Sequence, residues 1–313
     1  MLILAKAEGI DYRLLHQAAD RLTPKLRQTL LAAFENLPEA TLTPLIAALE
    51  AGRIDQVMDL LAAAIDPAAQ AQVANVLREA FVGAANLQGA EFNLRFDIKN
   101  PAAVRFAERN AARLVTSVDV QTRRALRDIV VRGIQDGMAP AVQAREIRQL
   151  IGLSRRDATA ADNFLRGLLE TATSEKQEAA ALRRFETYQR RLLRNRAETI
   201  ARTETIRAAN MGQRAAWDKA ADVGLLDRAT LRVVWIATED SRTCPICAVL
   251  DGQTVGFQDD FLIREQATGF NLDSSGEFQV SGTKPVSGGP HAERSPPAHT
   301  ACRCALGLTE IAV

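Results

Sequence analysis

The four cysteines of this 313-residue chain fall in two close pairs, Cys244-Pro245-Ile246-Cys247 and His299-Thr300-Ala301-Cys302-Arg303-Cys304. A Cys-x-x-Cys turn presents two thiolates to one point, and a His-x-x-Cys-x-Cys segment adds three further donors. Zinc takes four nitrogen or sulfur ligands arranged tetrahedrally. The candidate metal ligands are therefore Cys244, Cys247, His299, Cys302 and Cys304. Five donors for four positions leave the fourth ligand open between His299 and Cys304. His291 is a weaker candidate, in a loop-like stretch. Disulfides or free thiols are the alternatives. No apolar run approaches the ~18 residues of a membrane span, and Lys6 and Glu8 interrupt the apolar start too soon for a signal-peptide core. A cytosolic origin follows, and in a reducing compartment clustered cysteines favour metal.

The order of residues argues for a structural zinc. Zinc deaminases place His-x-Glu before Pro-Cys-x-x-Cys. Here His291-Ala292-Glu293 comes after the first pair, and that pair reads Cys244-Pro245. Catalytic zinc also keeps an open position, whereas this cluster has a surplus of donors. The expectation is no enzyme activity. The competing reading is a metal-dependent nuclease with His291 or His299 as base.

Leu and Ala dominate the apolar residues and aromatics are sparse, which favours helices. The fold class expected is mainly α with a small α+β C-terminal domain. It comprises an N-terminal helical region (1–90), a central helical region ending in a long arginine-rich helix (91–224), and a cap closed by the Cys/His cluster (225–313). Apolar spacing predicts a helix over 11–36, which Pro24 can split. Thr43 before Pro44 reads as an N-cap. Phe92, Leu94, Phe96 and Ile98 alternate like a short strand. Asn100-Pro101 opens a helix, and Thr116 or Asp119 caps the next. Ser154 caps another, and Ser174 with Gln177 forms a capping box opening a helix that runs to Gly224, with a bend at Gly212. Leu231, Val233, Trp235 and Ala237 alternate as a strand. Asp251-Gly252 is a turn. Residues 266–297 read as a long loop with a strand at 277–280, and 303–308 as the closing strand. No other chemistry stands out in the first 90 residues, where His16 reads as a helix histidine.

Net charge is +1, so any nucleic-acid contact needs a local patch. The long helix supplies one: Arg183, Arg184, Arg190, Arg191, Arg194 and Arg196, continuing through Arg202, Arg207 and Arg214. Such a stretch lies against phosphates or is a solvated face paired with acids elsewhere.

Asp240-Ser241-Arg242-Thr243-Cys244-Pro245-Ile246-Cys247, then Leu250-Asp251-Gly252, then Pro296-Pro297-Ala298-His299-Thr300-Ala301-Cys302-Arg303-Cys304 resemble the signature of the phage Mu F-like head morphogenesis family. Ile200-Ala201-Arg202-Thr203-Glu204-Thr205, with Asn210 and Gly212, resembles the helix preceding that signature. Phe96-Asp97-Ile98-Lys99-Asn100-Pro101 resembles the start of the region before it. The resemblance covers about residues 90–310. Thr300 stands where the family pattern tends to have Pro. The resemblance implies a minor head protein of a tailed phage, in the virion at the head interior or portal vertex and assembled in the host cytoplasm. Its implied partners are the portal protein, other head proteins and packaged double-stranded DNA, and it implies no membrane.

Overall fold

Long helices carry most of the chain. The computed structural model describes residues 12–35, 41–62, 67–238, 240, 242–274 and 277–310. Among the described residues eight α-helices precede the first strand: α1 (Tyr12–Glu35), α2 (Leu42–Glu50), α3 (Ile54–Ala62), α4 (Pro67–Gly89), α5 (Pro101–Gln135), α6 (Pro140–Leu150), α7 (Arg155–Glu170) and α8 (Glu175–Asp222). Then come β1 (Leu231–Ile236), α9 (Pro245–Leu250), β2 (Thr254–Gly256), β3 (Phe261–Ile263), β4 (Glu265–Leu272), β5 (Phe278–Pro285), β6 (His291–Glu293) and β7 (Ala305–Glu310). The expected mainly-α class with a small C-terminal β region is what forms. Among the described residues no helix is long and apolar enough to cross a membrane.

Helix starts form as expected where a side chain satisfies the backbone. Ser154 Oγ accepts from Asp157 N at 3.2 Å, a true N-cap. At the start of α8, Ser174 Oγ accepts from Gln177 N at 3.4 Å, while Gln177 Oε1 reaches back one residue further than expected, to Thr173 N at 2.7 Å. Other readings are corrected. Pro24 sits inside an unbroken α1, with adjacent Thr23 donating to Ala19 O or sharing a hydroxyl contact with Thr205. A proline removes one helical bond, and here it stands between the buried Thr23 and Leu26. Thr41, not Thr43, stands at the N-cap of α2, and its side chain makes no capping hydrogen bond. Residues 101–135 form one helix, with no cap at 116–119. Alternation at 92–98 produces no strand. A 3-10 turn at Ala90–Phe92 ends on Asn93 at φ 53, and Asn86 then brackets Phe96, accepting from its N–H at 2.7 Å and donating to its carbonyl at 3.0 Å.

Compactness divides the chain into two units: Met1–Lys25, Asn75–Ala107 and Thr199–Val313, against Leu26–Ala74 and Glu108–Glu198. All the boundaries fall within α1, α4, α5 and α8, so single long helices contribute to both. Division by chain order at residues 90 and 224 follows composition, whereas this grouping follows packing.

The second unit packs Leu45, Val57, Leu126, Ile129, Ile147, Leu165 and Phe185 into one core. Two acids are buried with them. Glu146 (α6) and Asp162 (α7) are both 0% exposed. Asp162 binds Arg166 Nε at 2.8 Å and Arg132 Nη1 at 2.9 Å, and Arg166 also reaches Asp136. Burial first, and the Asp162 carboxylate second, push the Glu146 carboxyl up to about 9 from 4.5. A raised acid favours the neutral form in the fold. Its contribution is fully present below about 4.5 and is lost as pH rises toward 9, on the order of 3 kcal/mol by pH 7. Glu146→Gln is expected to remove this slope. Urea midpoints between pH 5 and 9 should fall for the natural chain and stay flat for the variant.

In the first unit, β1 is central in a three-stranded antiparallel sheet of order β2-β1-β7. β1 alternates buried and half-buried residues, with Leu231, Val233 and Trp235 inside. Its pairing with β7 runs from Leu231–Glu310 to Ile236–Ala305. The expected loop at 266–297 is largely ordered by pairing: β3 with β6, and β4 with β5 in a hairpin whose register shifts near Gly269. Its turn is built by Asp273, which accepts from Glu277 N and Gln279 Nε2 at 3.0 Å each. The Gly and Ser residues that read as loop serve a narrow hairpin: a Cβ on Gly269 would meet Ser281 Oγ at 2.6 Å.

Candidate metal centre

The segment between β1 and α9 folds onto the end of β7. Ala237 N donates to Asp251 Oδ1 at 2.7 Å, and Thr238 Oγ1 donates to Arg303 O at 2.8 Å. Thr243 Oγ1 closes the same turn onto Thr238 O. Arg303, between Cys302 and Cys304, grips Asp240 in a two-pronged pair at 2.7 and 2.5 Å. That pair, with a backbone bond from Arg242 N, holds the Asp240 carboxyl well below the usual carboxylate range. A bidentate guanidinium–carboxylate contact fixes orientation as well as distance. Here it aligns the Cys-x-Cys segment with the Cys-x-x-Cys turn.

Cys244 is the N-cap of α9: its sulfur accepts from Cys247 N at 3.3 Å, with Pro245 in the first turn. The helix therefore turns both sulfurs of the Cys-x-x-Cys to one side. Across from them, Ala301 adopts φ 62 and Cys302 N donates to His299 O at 3.2 Å. The left-handed residue costs an Ala roughly 1–2 kcal/mol. The Ala301 N–H is held by Thr203 Oγ1 at 2.9 Å.

All five predicted donors converge. His299 Nε2 lies 2.8 Å from Cys244 Sγ and 3.0 Å from Cys247 Sγ, and Cys247 Sγ lies 3.7 Å from Cys302 Sγ. Two groups, Cys244–Cys247–His299 and Cys247–Cys302–Cys304, have their ligand atoms within 4.8 Å of one another and share Cys247. All four cysteines are free; Cys247, Cys302 and Cys304 are buried, and Cys244 is half-buried. His291 lies on β6, exposed and outside both groups.

The donor chemistry fits a tetrahedral ion. Zinc–sulfur bonds of ~2.3 Å place neighbouring sulfurs about 3.8 Å apart, close to the Cys247–Cys302 separation. His299 Nδ1 meets Thr300 O at 2.7 Å. A carbonyl only accepts, so Nδ1 carries the proton and Nε2 faces the thiols, as a second-shell carbonyl arranges for a ligating histidine. With protons in place of an ion, the hydrogen bond to Cys244 pushes His299 up to about 10, and bonds from Cys247 and then His299 hold Cys244 down to about 4. Cys302 is likewise held down by its bond from Cys247, while Cys247 and Cys304 are pushed up, so Cys244 and Cys302 are the readier thiolates, the form that binds metal.

The residues that seat the cluster lie upstream on α8. Asn210 Nδ2 donates to Cys304 O at 3.3 Å, Gln213 Nε2 to Leu306 O at 3.2 Å, and Arg214 Nη2 to Phe257 O at 2.6 Å. Thr203, Asn210 and Gln213 thus bind the backbone on both sides of the second cysteine pair, and Arg214 holds the segment after β2. Thr203, Asn210, Gln213 and Arg214 are all buried. Their spacing puts them on one helix face, and polar residues repeating along one face of a helix are the signal from which the docking could have been read. Burial lowers Arg214 to about 10. At Gly212 α8 continues unbroken, and the missing Cβ lets Phe81 O of α4 approach α8 directly.

The arginine stretch divides. Arg183, Arg184, Arg191 and Arg194 line a groove of about 990 Å³, with the Phe164 and Tyr188 rings. Arg190 is exposed elsewhere on α8. Arg196 turns to Gln121 Oε1 at 2.9 Å, and burial lowers it to about 10. Arg207 pairs with Glu204 and Glu293, so the C-terminal part of the stretch serves the cap.

Neither curated proteins nor solved structures match the chain. A family model does, that of the Phage Mu protein F like protein, over residues 124–307. That span holds all five cluster donors, the α8 residues that seat them and the Asp240–Arg303 pair; by it, the chain belongs to the Phage Mu F-like family.

Proposed function

We propose that this protein is a structural component of phage head morphogenesis, residing in the virion and working with other head proteins, the portal among them. Membership of the Phage Mu F-like family supports the head role. The observation that carries the structural rather than catalytic reading is the enclosure of the cluster. All five of its donors come from two chain segments pinned by Arg303, Thr203 and Asn210, and three of its sulfurs are buried. A structural zinc held by Cys244, Cys247, Cys302 and either His299 or Cys304 would supply a cross-link. It would join β1–α9 to β7 and offset the loop-closure entropy of the intervening segment.

Elemental analysis with thiol titration on the same sample tests this. Zinc near one per chain is expected, and prolonged chelation should unfold the cap. No metal and no free thiols would point to disulfides and end the zinc reading. Metal-dependent DNA cleavage lost in His299→Ala or His291→Ala would replace it with the nuclease. The head role predicts capture of co-expressed portal protein by the tagged full chain, with loss of portal incorporation as the failing outcome.

The exposed arginines of α8 support a second reading: contact with packaged double-stranded DNA. Their charge is concentrated in a chain whose net charge is only +1, which is the local patch such contact requires.

A further inference from the structure

We propose that the groove beside α8 is a binding site for a single, unpaired nucleic-acid strand, with phosphates on Arg183, Arg184 and Arg194 and a base against the Tyr188–Phe164 floor. This rests on the reading that the arginine stretch contacts DNA phosphates, and it departs from the duplex of that reading by assigning the groove an unpaired strand.

Three observations carry it. First, the groove is concave and large, about 990 Å³, and no acidic residue is among the described residues that line it. Second, its arginines repeat along one helix face. At ~1.5 Å per residue, Arg183 and Arg194 stand about 16 Å apart along α8, a row that can follow a strand's phosphates. Arg183, Arg184 and Arg194 are exposed. Third, the floor is aromatic: Phe164 and Tyr188 have ring centroids 4.7 Å apart, and the Arg191 guanidinium lies over the Tyr188 ring at 5.2 Å. Both rings are half-buried, open to the groove.

A basic trough with aromatic platforms is how proteins hold unpaired strands, because each base offers a π-face for stacking. In a duplex those faces are already stacked on neighbouring bases, so the tyrosine would gain nothing from it. Arg191 already shows that the Tyr188 face accepts a planar cation. A base would take that position and free Arg191 for a further phosphate.

Fluorescence anisotropy of the full chain tests this, using labelled oligo-dT of about 20 nucleotides and a duplex of the same length at about 50 and 200 mM salt. The single strand should bind more tightly than the duplex. Arg183→Ala with Arg194→Ala should reduce the slope of log affinity against log salt by about 1.4, at ~0.7 per phosphate. Tyr188→Leu should weaken binding about tenfold or more, while Tyr188→Phe retains it; circular dichroism confirms that each variant is folded. Duplex binding equal to or tighter than the single strand, or no effect of Tyr188→Leu in the folded protein, overturns the proposal and leaves the DNA reading standing. No binding of either form overturns both. Polyglutamate competing as well as oligo-dT would also overturn it, because charge alone would then explain the groove.

Discussion

Cys244→Ser is expected to unfold the cap. Its sulfur contacts His299, so the substitution removes a candidate ligand, while a serine hydroxyl can still accept from Cys247 N and cap α9; the variant therefore isolates the loss of the donor. Small zinc-closed folds lose their structure with the metal, and the stake is comparable to the ~5–15 kcal/mol that holds a whole domain. The cap shares its core with α8 through Trp217, which packs with Leu231, Trp235, Phe261 and Leu306. Loss of hydrogen-exchange protection should therefore cover β1, α9, β7 and the Thr203–Trp217 part of α8. The unit of residues 26–74 and 108–198 should keep its protection, since it has its own core. Full cap protection in the variant would mean that packing alone holds the sheet and the cluster is incidental. Trp217 and Trp235 are the only tryptophans, and both are in this core, so their fluorescence gives a second readout of the same event.

Gly212→Ala is expected to destabilise the protein strongly, against the sign that helix propensity predicts. In an open helix, alanine gains about 1 kcal/mol over glycine. At 212 the added methyl would stand 2.1 Å from Phe81 O, 2.9 Å from Phe81 C and 3.1 Å from Ala85 N. These atoms are helix backbone and cannot rotate away, so α4 and α8 must separate. Overpacking of this kind costs about 1–3 kcal/mol or more, and the separation also strains the buried pair of Gln213 Nε2 and Gln88 Oε1 at 3.3 Å. Thermal denaturation is the check, with Gly167→Ala as the control. A Cβ at Gly167, on α7, meets nothing within 4 Å, so there the alanine should be neutral or stabilising. Equal behaviour of the two variants would show that the α4–α8 approach has slack.

What could be read from the sequence divides by the range of the interaction. The donor set was legible because metal chemistry restricts residue type and spacing, and the strand β1 followed from its alternation. Helix starts were legible where the cap is local, as at Ser154, whereas the partner of β1 came only from the fold, which sets it beside β7. Thr43 failed because an N-cap depends on where the preceding chain enters, and Thr116 and Asp119 failed because a polar residue can also sit within a continuous helix. The 266–297 stretch misled through its glycines, which serve a narrow hairpin as well as a loop.

The sequence by itself determined the helical class, the five converging donors and the arginine stretch, because periodicity, ligand chemistry and charge are properties of residue type and short spacing. Only the tertiary structure decided how that stretch is used. Arg183, Arg184, Arg191 and Arg194 face a groove, while Arg196 is turned to Gln121 and Arg214 holds Phe257 O. One helix carries both sets. Which arginine meets solvent and which meets a carbonyl depends on what packs against each face, and those neighbours lie far away in the chain. The same holds for Asn210 and Gln213: their burial against Cys304 O and Leu306 O joins residues more than ninety positions apart.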